Sequence, residues 1–126
     1  MPDSGGLVFY GDDLGDDKGR SLFRGSWNAD IIDELKPFLS DGDAQCDKNR
    51  FSGLWSPDQP LFKHLRKTGM TSLVFCGVNT DRCVLGTLTD ASAWGWDCLI
   101  LEDCVATATE EANRVCLKNI EVRASV

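Results

Sequence analysis

Apolar positions along this chain fall into short blocks whose spacing changes from one block to the next. Residues 73–78, Leu-Val-Phe-Cys-Gly-Val, form a run with no polar face. Such a run fits a strand buried on both sides of a parallel sheet. Asn79, Thr80 and Asp81 break it, and from Arg82 the spacing becomes helical through Val84, Leu85, Leu88, Ala91 and Trp94. Asn79 or Thr80 can cap this helix, and Gly95 ends it. Residues 97–101 repeat the strand pattern. Thr109, Glu110 and Glu111 then open another helix, with Ala112, Val115, Cys116 and Ile120 facing inward and acids where the dipole favours them. Residues 121–126 read as a short edge strand.

Upstream the pattern is weaker. Ser56, Pro57 and Gln59 carry the signs of a helix start, Leu61, Phe62 and Leu65 give its buried stripe, and Gly69 stops it. A short helix is expected over 30–38, capped by Asn28 or Asp30 and stopped by Pro37. Residues 48–54 read as a strand end or turn that presents Lys48. The first 25 residues are irregular and rich in Gly and Asp, apart from an apolar island at 7–10 that suits a strand. The acidic run at 11–17 lacks both the spacing of a calcium loop and the lysine-serine pair of a phosphate loop, so it reads as solvated. Strands alternating with helices predict an α/β domain with parallel pairing and catalytic groups at the carboxyl ends of strands. At this length one domain over 1–126 is expected, with 26–126 as its core.

Composition narrows the function. The net charge of -7 leaves no basic stripe for nucleic acid. No segment has the pattern of a secretory signal or a membrane span, so a cytoplasmic protein is expected. The six cysteines lie inside expected elements and include no CxxC pair, which points to reduced thiols. With a single histidine, His64, on a helix, a Cys/His zinc site is not expected. Cys83 differs from the other cysteines in position. It falls in the first turn after a buried strand, where amide protons and the helix dipole favour a thiolate and can hold an oxyanion. Cys76 and Cys116 read as core.

The stretch Gly77-Val-Asn-Thr-Asp-Arg-Cys-Val84, followed by Thr87, Asp90, Ala91 and Gly95, resembles the nucleophile motif of the isochorismatase-like cysteine hydrolases. Asp47-Lys48-Asn-Arg-Phe-Ser-Gly-Leu54 resembles their lysine motif. Glu102-Asp-Cys-Val-Ala106 is similar to the segment after their next strand, and Gly25 to Pro37 to a fungal version of the family. The resemblance implies a Rossmann-like fold of three layers, a parallel sheet with helices on both faces. It implies a nucleophile at Cys83, a supporting lysine at Lys48, and a cis peptide before Asn79 that turns the Asn79 and Cys83 amides into an oxyanion hole. Phe51, Leu54, Trp55 and Thr80 are the expected substrate contacts, on a small amide, ester or vinyl-ether-type molecule. No cofactor and no metal are implied. The family's aspartate belongs to an amino-terminal strand that this chain is expected to lack, with Asp12 or Asp13 as possible substitutes. Missing strands would leave sheet edges open, and a homo-oligomer, a dimer or larger, is expected to cover them. Two other readings stay open: a non-hydrolytic enzyme of secondary metabolism using the same pocket, and an inactive binding or assembly member.

Overall fold

A computed structural model describes residues 11–15 and 18–123 of the chain, with side chains to residue 121. The expected strand at 7–10 lies outside these residues. The chain divides into two compact units, with the boundary between Asp43 and Ala44.

The amino-terminal unit is built from turns. Asp13 and Arg20 form an antiparallel bridge, flanked by bonds from the Gly11 amide to the Ser21 carbonyl (2.9 Å) and from the Ser21 amide to the Asp12 carbonyl (2.8 Å). Two 3-10 turns follow, Trp27–Ala29 and Lys36–Phe38. The helix expected over 30–38 does not form. The Leu35 and Lys36 amides both close on the Ile32 carbonyl, and Pro37 has no proton with which to continue the ladder. Ile32 and Leu35 are more than half exposed, so no packing holds a helix there. Asn28, an expected cap, instead bonds the Leu22 amide and the Lys18 and Arg20 carbonyls.

The carboxy-terminal unit carries the regular elements. Helix α1, Pro60–Thr68, begins later than expected. Ser56 does not cap it but folds a preceding turn, its hydroxyl accepting from the Asp58 amide at 3.2 Å. Pro60 then takes the first helical turn, where a missing N–H costs nothing. Gly69 ends α1 with φ 70°, a left-handed cap that favours glycine. Strand β1, Ser72–Val78, leads through a π-turn, Thr80–Val84, into α2, Leu85–Ala93. Strand β2, Asp97–Ala106, pairs parallel with β1, and α3, Glu110–Arg123, closes the unit. Thr109 caps α3 by accepting from the Ala112 amide at 3.3 Å. The edge strand expected from residue 121 is absent among the described residues, because α3 runs on through Ile120, which is buried one turn after buried Cys116. Val115, expected inward, is half exposed.

Leu73, Phe75, Cys98 and Ile100 share one face of the two-stranded sheet, and α1, α2 and α3 all contribute to the cores packed on it. Leu54, Leu65, Ala91 and Trp96 form one core, and Leu88, Cys116 and Ile120 the other. Each fully buried leucine contributes roughly 1.5–3 kcal/mol. The opposite face departs from the expectation that these strands are buried on both sides. Among the described residues nothing covers it, and Val74 and Leu99 remain 59% and 61% exposed. Cys76, expected in the core, is exposed for the same reason. The consecutive apolar run could not show which face would be left open.

Candidate active site

The sheet loses its register where it meets the nucleophile turn. Phe75 pairs with Ile100, but the next pair is Gly77 with Val105, so β1 advances two residues while β2 advances five. This bulge coincides with φ 115° at Gly77, a conformation that side chains rarely allow. The next peptide but one, Val78-Asn79, is cis. Asn79 is extended, and its carbonyl accepts from the Arg82 amide (3.1 Å) and the Val84 amide (3.3 Å), which curls the chain into the π-turn. Cys83 is the fourth residue of that turn and is half-buried. The expected side-chain cap is not used. Asn79 sends its amide group to the Thr107 hydroxyl at 3.4 Å, and that hydroxyl donates to Asp81. Thr80 is fully buried, and its hydroxyl finds no partner among the described residues. Its carbonyl accepts from the Cys116 thiol at 3.4 Å. Two groups on other elements, Thr107 after β2 and Cys116 on α3, therefore fasten the start of the turn.

Lys48 lies on an irregular loop rather than a strand. Its ammonium donates to the Arg50 carbonyl at 3.0 Å. The Arg50 guanidinium lies 5.5 Å from the Trp55 ring centre, and the Trp55 indole donates to Asn49 at 3.2 Å. The loop then turns inward at Ser52 and Gly53, where the Leu54 amide donates to the Ser52 hydroxyl at 3.0 Å. There it meets α2. The buried Gly53 amide donates to the Thr87 hydroxyl at 3.1 Å, and that hydroxyl donates to the Cys83 carbonyl at 2.7 Å. One side chain thus joins the lysine loop to the cysteine turn.

The expected substrate contacts separate in space. Leu54 is fully buried in the first core and has no surface to offer a ligand, and Thr80 is equally closed off. Phe51 and Trp55 reach solvent. Phe51 lines a cleft of about 590 Å³ along the outer side of α2, together with Ser52, Asp81, Leu85 and Thr89; neither Cys83 nor Lys48 forms part of its wall. Asp12 and Asp13 belong to the amino-terminal unit, where the Asp13 carboxylate accepts from the Gly15 amide at 3.0 Å. Among the other cysteines, burial pushes the Cys98 and Cys116 thiols up, aided by Asp97 and Asp81 respectively. Burial and Asp47 do the same at Cys46, and the Asp103 charge does so at Cys104. Each of these shifts disfavours the thiolate, which is the nucleophilic form.

Residues 6–126 match the Isochorismatase domain. The chain belongs to the isochorismatase family. It is 38% identical over 105 residues to the ureidoacrylate amidohydrolase RutB of Caulobacter segnis, covering 82% of this chain and 42% of that protein. In structure it resembles an isochorismatase-like hydrolase from Alkaliphilus metalliredigens, with a TM-score of 0.70 and 32% identity over 78% of this chain and 52% of that one. It also resembles N-carbamoylsarcosine amidase from Thermoplasma acidophilum, with a TM-score of 0.69 and 27% identity over 90% of this chain and 64% of that one. The chain therefore spans about half the length of the relatives it matches. Its fold is the α/β fold of the isochorismatase family, a parallel sheet with helices. No helix among the described residues is long and apolar enough to cross a membrane.

Two residues that fasten the cysteine turn were given no site role by sequence reasoning. Thr87 entered only as part of the motif that resembles the family, although a threonine four residues after Cys83 on a helix can bond back to its carbonyl. Thr107 left no local signal, since its partners lie 26 and 28 residues away.

Proposed function

We propose that Cys83 is the nucleophile of a hydrolase centre acting on a small amide or ester, with vinyl ethers as the outer limit of the substrate class. The observation that carries this is the position of Cys83, half-buried in a turn directly after the carboxyl end of β1. Support comes from three relatives described as an amidohydrolase, a hydrolase and an amidase. The Cys83 thiolate attacks the carbonyl carbon, and the Asn79 and Cys83 amides take the oxyanion. The carbon–nitrogen or carbon–oxygen bond then breaks, the leaving group takes a proton, and water opens the thioester to return the thiol. Lys48 supports the thiolate by its charge. Phe51 and Trp55 offer aromatic surface to the substrate.

Cys83→Ala tests the proposal on a panel of small primary amides and ureido acids, with released ammonia as the readout. Turnover should fall by about a thousandfold or more, with far-UV circular dichroism and melting unchanged. Turnover that survives the substitution ends the cysteine hydrolase reading.

A second element of the proposal concerns assembly. The uncovered sheet face with Val74 and Leu99, and the unpaired outer edges of β1 and β2 among the described residues, favour a second copy of this chain as their cover. The free cysteines support action in a reducing compartment such as the cytoplasm.

A further inference from the structure

The lysine loop packs directly on the start of α2, with Gly53 and Gly86 at the contact. A Cβ on Gly53 would stand 3.1 Å from Leu61 Cδ2, 3.8 Å from Lys48 Cδ and 3.9 Å from Thr87 Cγ2, and a Cβ on Gly86 would touch Ser52 at 3.7 Å. The stem of Lys48 therefore runs past the point where its loop meets α2. At that point the Thr87 hydroxyl bridges the two segments, accepting from the Gly53 amide (3.1 Å) and donating to the Cys83 carbonyl (2.7 Å). A threonine bonded back to its own helix is common and needs no functional reason. The second bond is different. It reaches 34 residues along the chain and satisfies a buried backbone donor.

We propose that Thr87 is a positioning residue that couples Lys48 to Cys83. It rests on the Cys83 hydrolase reading. Thr87 touches no substrate. It fixes the loop that carries the ammonium against the turn that carries the thiol, so that the charge of Lys48 acts on Cys83 from one distance. Without the hydroxyl, the Gly53 amide loses its acceptor, the loop shifts outward toward water, and the ammonium no longer favours the thiolate.

The test is the rate of Cys83 alkylation by iodoacetamide at neutral pH in the folded full chain, followed at that cysteine by peptide mass spectrometry. Wild type, Thr87→Val, Thr87→Ser, Lys48→Met and the Thr87→Val/Lys48→Met pair are compared. Thr87→Val should slow alkylation about tenfold. Lys48→Met should slow it similarly. The double variant should be no slower than the slower single one, since both remove the same influence. Thr87→Ser should keep the wild-type rate. A Thr87→Val rate equal to wild type, or fully additive effects in the double variant, overturns the coupling. Should Thr87→Val fail to fold, Thr87→Ala takes its place in the same comparison.

Hydrogen exchange separates this idea from the hydrolase reading. If Lys48→Met leaves the alkylation rate unchanged, Lys48 does not act on Cys83 and the coupling is overturned, while loss of turnover in Cys83→Ala would still uphold the hydrolase reading. The tie from Thr87 to the loop is read separately, by exchange at the Gly53 amide. Thr87→Val should speed it by about tenfold or more and Thr87→Ser should not, as expected when a local bond sets protection. Unaltered protection at Gly53 in Thr87→Val overturns the proposal whatever Cys83 does.

Discussion

Cys116 shows how a residue outside the chemistry still bears on it. Its thiol is 4% exposed and bonds the carbonyl of Thr80 at the base of the cysteine turn. Burial, and after it the charge of Asp81, raises its pKa above the ordinary 9.0. A group raised in the folded state contributes stability that is whole below the unfolded pKa and is lost as pH rises through the folded one. The urea midpoint should therefore hold steady from about pH 7 to pH 8 and decline above about pH 9. Cys116→Ala should flatten that decline; an equal decline in the variant would show that other groups cause it. Thr80, next to this bond, hides a hydroxyl with no partner among the described residues. Such a group costs stability rather than adding to it.

At the scale of elements, β1 and the turn after it act as one device. The bulge at Gly77, the extended Asn79 and the π-turn deliver Cys83 to the end of the strand rather than into a regular first turn of α2. Gly77 is the hinge of this arrangement, because φ 115° is open to glycine and strained for any side chain. A Cβ there meets nothing within 4 Å, so the penalty is conformational and not steric crowding. Gly77→Ala should cost about 1–3 kcal/mol in urea denaturation. A loss below a few tenths of a kcal/mol would mean that the strand relaxes around the new side chain. The helices themselves were well marked in the sequence by Leu65, Leu88 and Gly69. The turn was not, since Asn79 looked like a cap and spends its side chain on Thr107 instead.

At the scale of the whole molecule, the proposed cover of the open sheet face by a second copy is open to test in solution. Val74, Val78 and Leu99 each expose more than half of their surface on or beside that face. The chain also carries a net charge of -7, so two copies repel one another at low salt. Association through this face should therefore strengthen as salt is added, because screening removes the repulsion and leaves apolar burial. Static light scattering should give at least twice the chain mass of 13.9 kDa. Replacing both Val74 and Leu99 by lysine should return it to the single-chain mass. A wild-type chain that stays single at all salt concentrations would count against a second copy as the cover.

Local sequence determined β1 and the start of β2, the stops at Gly69 and Gly95, and the place of Cys83 after β1, because apolar periodicity and glycine conformation act over a few residues. Tertiary structure alone decided that Leu54 is core and not pocket, that one sheet face stays open, and that Thr87 and Thr107 hold the cysteine turn. These depend on which segments meet across 26 to 40 residues of chain, as in the bonds from Gly53 to Thr87, Thr107 to Asp81 and Trp94 to Leu54. No spacing within a single element encodes such meetings.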